Sequence, residues 1–229
     1  MAEYNSHRIR KVVIATGAVT TFAGSSDGFL DHNTGTSAKF KNPSAVTIVG
    51  GNLYVAEYGN HKIRKIVLSS GAVTTLAGSG SQGSTDGTGT SATFKFPQAI
   101  TSDGTNLYVA DTNNNKIRKI DTSTGFVTTL AGSGTAGFTN ATGTAAKFNY
   151  PSGITTDGTN LYVADIENHK IRKIVISTGV VTTFAGSGSA GSANGTGASA
   201  SFNKPRGITT DGTNLYVTDH DGHKIRKIV

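Results

Sequence analysis

The chain contains no cysteine. That excludes a disulfide framework and every thiolate metal site. It has no apolar run approaching the roughly 18 residues a membrane-spanning helix needs, so the sequence offers no membrane span. No stretch of ten or more residues sustains a 3.6-residue apolar period, so long amphipathic helices are absent too. The first residues, MAEYNSHRIRKVV, lack the apolar segment of a secretory signal. The native compartment is therefore unassigned, and the chain is compatible with a fragment, natural or engineered, of a secreted or surface bacterial protein. No Walker loop, HExxH pair or nucleophile elbow occurs.

What is present is a repeat. Ile-Arg-Lys starts at Ile9, Ile63, Ile117, Ile171 and Ile225, always 54 residues apart. A period of this size signals stacked units rather than separate domains. The four prolines, Pro43, Pro97, Pro151 and Pro205, share one phase, each opening a short apolar run, strand A. Gly50-Gly51 and three Asp-Gly pairs (Asp103-Gly104, Asp157-Gly158, Asp211-Gly212) then turn the chain tightly. Strand B follows as Asn-Leu-Tyr-Val, from Asn52, Asn106, Asn160 and Asn214. It ends on an acid: Glu57, Asp111, Asp165 or Asp219, with Glu3 in the same phase.

Strand C is the Lys-Ile-Arg-Lys segment. It has no polar face, which suits a strand packed on both sides, with long basic stems lying over apolar surface. Strand D, Val-Thr-Thr-Phe/Leu-Ala, follows a glycine turn and is rich in β-formers. A Gly/Ser/Thr-rich linker of about 18 residues leads to the next proline, with a phased Phe40, Phe94, Phe148 or Phe202 near its end. A regular aromatic pins the linker to the core; TSAKF and TAAKF within it suit single helical turns.

Four strands per unit, stacked on their neighbours, read as β-propeller blades. The expected architecture is all-β, with about four four-stranded antiparallel blades in one domain spanning 1–229. Full blades are expected at about 43–78, 97–132 and 151–186, with partial ones at 1–24 and 205–229. If the ends share a blade, one of the two C strands, Arg8–Val12 or Lys224–Ile228, is surplus. Two copies closing one larger ring, an eight-bladed dimer, are favoured over a lone four-bladed ring, because an open break exposes apolar blade faces.

The stretch from Pro151, PSGITTDGTNLYVADIENHKIRKI, and its counterparts from Pro43, Pro97 and Pro205 resemble the NHL-repeat family of β-propellers. Its Asn-His pair stands intact at Asn60-His61 and Asn168-His169, and drifts to Ser6-His7, Asn114-Asn115 and Gly222-His223. The resemblance covers nearly the whole chain and implies a propeller without specifying an activity. Typical members have six blades.

Antiparallel connectivity puts the B–C loops and D–A linkers on one face, where binding is expected. The candidate ligand-binding residues there are Glu57, Asn60, His61, Asp111, Asn114, Asp165, Asn168, His169, Asp219, His220 and His223. The acids also suit a simpler role. A carboxylate at this position caps the following turn and pairs with the Arg seven residues on. His7, His61, His169 and His223 share a phase, but Asn115 interrupts the set and imidazoles spread round a wide ring do not converge on one ion. No metal, cofactor or catalytic residue is assigned. His220, in the irregular loop TDHDGH, is the most blade-specific candidate.

The net charge is +7, most of the excess lying in the repeated basic tetrapeptide. Such a surface attracts acidic partners, and it equally protects strands from edge pairing. Near-uniform repetition argues for a non-enzymatic scaffold binding a protein, glycan or small ligand, since an active site needs different residues converging on one point. RNA binding on a basic face ranks second, because no aromatic stacking platform is visible. A metal-dependent lyase, an activity the resemblance also implies, ranks third.

Overall fold

The structure is a computed structural model describing residues 1–229. Five antiparallel sheets stand in sequence around an axis. Sheet 1 holds β1 (Ala2–Glu3), β2 (Arg8–Val12) and β3 (Val19–Ala23). Sheet 2 holds β4 (Pro43–Val49), β5 (Asn52–Glu57), β6 (Lys62–Val67) and β7 (Val73–Ala77). Sheet 3 holds β8 (Gly87–Thr88), β9 (Pro97–Ser102), β10 (Asn106–Asp111), β11 (Lys116–Asp121) and β12 (Phe126–Ala131). Sheet 4 holds β13 (Ala141–Thr142), β14 (Pro151–Thr156), β15 (Asn160–Asp165), β16 (Lys170–Val175) and β17 (Val180–Ala185). Sheet 5 holds β18 (Pro205–Thr210), β19 (Leu215–Asp219) and β20 (Lys224–Ile228).

The chain is therefore a β-propeller of five blades with three to five strands each, not about four blades of four. Two physical reasons account for the difference. The end halves form separate three-stranded sheets instead of merging into one. The linkers also add two-residue outer strands: β8 pairs with β12, and β13 with β17. Each linker also forms a single turn of 3-10 helix, as at Gly35–Ser37 and Gly143–Ala145, overlapping the start of the TSAKF and TAAKF segments expected to turn.

The A strands stand nearest the axis, β4 beside β9, β9 beside β14 and β14 beside β18. Alternation along each strand sends one set of side chains to each neighbouring sheet. In sheet 2, Leu53, Val55 and Ile66 pack towards sheet 1, while Tyr54, Ala56 and Ile63 pack towards sheet 3. Four such inter-sheet cores run through the molecule. The pinned aromatics Phe40, Phe94, Phe148 and Phe202 all lie in them, at most 1% exposed. Strand C is packed on both sides with its arginines over apolar surface, as expected, against the rings of Phe40, Phe94 and Phe148, and the charged heads are enclosed as well as the stems. Arg64, Arg118 and Arg172 are wholly buried.

Candidate functional site

The B–C loops build the loop face. After the acid, three residues form a 3-10 turn: Tyr58–Asn60, Thr112–Asn114 and Ile166–Asn168. The next residue reverses the chain in the left-handed region. His7, His61, Asn115, His169 and His223 have φ between 51° and 56°. His and Asn are among the side chains enriched there.

The acid is a structural element. Asp111 accepts the Lys95 N–H at 2.7 Å, the Asn114 amide at 2.8 Å and Arg118 Nη1 at 2.8 Å. Arg118 also donates to Thr93 O, Thr85 O and Asp86, and lies over the Phe94 ring. Sheets 2, 4 and 5 repeat the pair as Glu57–Arg64, Asp165–Arg172 and Asp219–Arg226. Only Glu3–Arg10 in sheet 1 is half-exposed. Burial pushes the Asp165 carboxyl up and the Arg172 guanidinium down, and each opposes the other's shift by supplying the counter-charge. These carboxylates face the protein interior and pair with the Arg seven residues on, as expected, but they do not cap the following turn: the backbone N–H each accepts comes from the linker 16 residues earlier. Asn60, Asn114 and Asn168 donate both to the acid and to a linker carbonyl, at Gly28, Gly83 and Gly137.

The repeated histidine ties one sheet to the next. His61 Nδ1 accepts the Phe96 N–H, His7 that of Asn42 and His169 that of Lys204, each at 3.1 Å. Asn115 Oδ1 accepts the Tyr150 N–H at 2.9 Å, so the asparagine that interrupts the histidine set preserves the acceptor. Burial, then the charges of Lys41 and Lys95, push the His61 pKa down, which favours the neutral ring that can accept. No three His, Asp or Glu side chains gather where they could hold a metal ion. His61→Ala leaves a part-buried N–H unpaired and is expected to cost about 1–3 kcal/mol, whereas His61→Asn restores most of it. Thermal melts of the two variants compare them directly.

A cleft of about 560 Å³ lies where the five loop clusters meet at the axis. Its residues come from a few repeat phases whose chemistry changes from blade to blade. Directly after the acid stand Tyr4, Tyr58, Thr112, Ile166 and His220. One residue on are Asn113, Glu167 and Asp221. Before the proline come Tyr150 and Lys204, and after it Gln98 and Arg206. Tyr4, Tyr58 and Phe96 form an aromatic run, with ring centroids 5.6 and 4.8 Å apart. Opposite lies a charged group. Lys204 Nζ is 3.4 Å from Glu167 and 4.0 Å from Asp221, and His220 Nδ1 is 2.6 Å from Asp221. The hydrogen bond with His220 holds the Asp221 carboxyl below its usual range.

Of the residues singled out from the sequence, His220 alone lines the cleft. The others lie in the loops behind it, the four acids buried. The signal that locates the rest is the column of residues at one repeat phase. On the loop face, the cleft-lining phases are ones whose copies differ in chemistry, as at Tyr4, Tyr58, Thr112, Ile166 and His220.

Tandem antiparallel sheets of three to five strands around an axis, each with an acid–arginine pair behind its B–C loop, define a repeat β-propeller. The chain is 34% identical over 190 residues to human NHL repeat-containing protein 2, and 30% identical over 194 residues to the protein SUPPRESSOR OF QUENCHING 1, chloroplastic, of Arabidopsis thaliana. The matches take in 76% and 78% of this chain, but 26% and 18% of those proteins. The chain belongs to the NHL-repeat family of β-propellers. No family model matches it. Among solved structures it resembles an auxiliary nutrient binding protein from Bacteroides thetaiotaomicron, with a TM-score of 0.66 and 22% identity over 92% of this chain and 55% of that one. It also resembles virginiamycin B lyase from Staphylococcus aureus, with a TM-score of 0.61 and 21% identity over 99% of this chain and 61% of that one.

Proposed function

We propose that the chain is a non-enzymatic binding module that takes its ligand in the axial cleft. One observation carries this reading. The acid, the arginine and the left-handed histidine, which nearly every blade shares, hold the blades together, whereas the residues lining the cleft occupy positions whose chemistry changes from blade to blade. The lining suits a polar, ring-bearing ligand of saccharide type. Tyr4, Tyr58 and Tyr150 offer aromatic faces, while Gln98, Asn113, Arg206 and the His220–Asp221 pair offer hydrogen bonds to hydroxyl or carboxylate groups. The likeness to proteins described as nutrient binding fits a small-ligand role. RNA is the weaker reading, since one arginine of each basic tetrapeptide in sheets 2–4 is buried and paired within the fold.

Calorimetry and ligand-observed NMR against neutral and acidic oligosaccharides test the proposal. Tyr150 and Arg206 are exposed, so Tyr150→Ala and Arg206→Ala are expected to leave the melting temperature unchanged. Each is expected to weaken binding by about tenfold, roughly 1.4 kcal/mol. Binding that ignores both changes, or chemical turnover of the bound saccharide, would sink the reading.

A further inference from the structure

Four residues near the loop face stand in a backbone conformation that their sequence disfavours. Asn42, Phe96, Tyr150 and Lys204 each precede a proline, which pushes the residue before it towards extended backbone. All four instead have positive φ, from 49° to 57°. For a bulky side chain such as Phe96 or Tyr150 that is an outlier. Strained backbone persists only where its surroundings over-determine it, and it gathers at ligand sites. Tyr150 and Lys204 line the axial cleft, and Phe96 packs on Tyr58, which lines it too.

The same bonds hold each strained residue. Its N–H is taken by the left-handed residue of the preceding sheet: His7, His61, Asn115 or His169. The N–H just before it is taken by the acid of its own sheet. Asn203 donates to Asp219 at 2.6 Å, and Asn149 to Asp165 at 2.7 Å. Two carbonyls of this turn then accept from the B–C loop. Lys204 O accepts the His220 N–H at 3.3 Å, and Asn203 O the Asp221 N–H at 3.0 Å. One sheet back, Tyr150 O accepts the Ile166 N–H at 3.4 Å, and Asn149 O the Glu167 N–H at 3.2 Å. The lining residues on both sides of the B–C loop therefore hang on one strained turn.

We propose that the repeated histidine, with Asn115 in its place in sheet 3, is a positioning residue for the axial cleft. It touches no ligand itself. Its acceptor atom pins the strained turn of the next sheet, and that turn sets three lining side chains at once. His169 governs Lys204, His220 and Asp221, the charged side of the cleft. Asn115 governs Tyr150, Ile166 and Glu167. Asparagine can stand in because Oδ1 offers the same kind of acceptor, 2.9 Å from the Tyr150 nitrogen. The inference rests on the cleft being the ligand site, and the test separates the two.

Amide NMR of the full chain needs no ligand. A scalar coupling between His169 Nδ1 and the Lys204 amide nitrogen, carried across their hydrogen bond, is expected in the unaltered protein; its absence overturns the proposal. His169→Ala is expected to shift or broaden the amide signals of Lys204, His220 and Asp221 and to leave those of Tyr150 and Ile166 in place. Asn115→Ala is expected to do the reverse. Changes spread evenly over the chain in both variants, as a merely structural loss would give, overturn it. His169→Asn is expected to keep the cleft signals close to their original positions. Calorimetry with maltotriose and trigalacturonate then reads binding. Whichever sugar the unaltered chain binds is expected to bind His169→Ala about tenfold more weakly and His169→Asn within about twofold. Equal affinity for all three chains overturns the positioning role. An unaltered chain that binds neither sugar ends the saccharide reading, and the amide signals still decide the positioning.

Discussion

Asp111→Ala is expected to lower stability by about 3–5 kcal/mol, the usual loss when one partner of a buried ion pair is removed. The carboxylate and guanidinium are both fully buried, 2.8 Å apart. Removing the acid strands the Arg118 charge in the core between sheets. It also frees the Lys95 N–H and the Asn114 amide from their acceptor. Arg118 Nε is already without a partner, so the site has no spare acceptor to offer. For a chain of this size the loss corresponds to a fall of about 10 °C or more in melting temperature. Replacing the pair together, with Asp111→Leu and Arg118→Met, is expected to recover most of it, because no unpaired charge remains. Denaturant melts of the single and double variants decide the matter. A single variant losing under about 1 kcal/mol would show that the pair does not hold the hairpin as the geometry indicates.

Gly132→Ala is expected to cost about 4 kcal/mol, combining backbone strain with overpacking. Gly132 follows strand D with φ of 103°, a conformation that side chains rarely adopt. A Cβ there would stand 2.4 Å from the carbonyl oxygen of Asn115 and 2.9 Å from Lys116 Cα, both backbone atoms that cannot swing aside. Gly24, Gly78 and Gly186 meet the same obstruction from His7, His61 and His169. Gly158→Ala is the control. Gly158 also has positive φ, 89°, but open space around it, so it carries strain without collision. Thermal melts are expected to show the Gly132 variant losing clearly more than the Gly158 variant; equal losses would remove the collision from the account.

These positions explain how far the fold and site are legible in the letters. The repeat period, the strand order and the glycine turns can be read directly, because β-alternation and positive-φ residues leave local patterns. The Asp–Arg pair is legible as a spacing of seven across a hairpin. The two-sided packing of strand C is legible in its lack of a polar face, but the burial of the arginine heads is not, since solvated basic residues suit a protected strand equally well. Two-residue strands such as β8 and β13 are too short to show any period. The histidine's task is invisible too. It depends on a left-handed backbone that presents Nδ1 to the N–H 35 residues on. The cleft is hardest, because it draws on residues roughly one repeat apart whose only shared property is that they differ.

That histidine contact has a further consequence. Each link runs one way, from the loop of one blade to the entry of the next, so the chain behaves as a zipper with distinct ends. Interior sheets are secured on both sides and terminal sheets on one. Cooperativity is therefore nearest-neighbour in character. In an isolated chain, opening begins at sheets 1 and 5 and moves inward, leaving sheet 3 the last to exchange its amide protons.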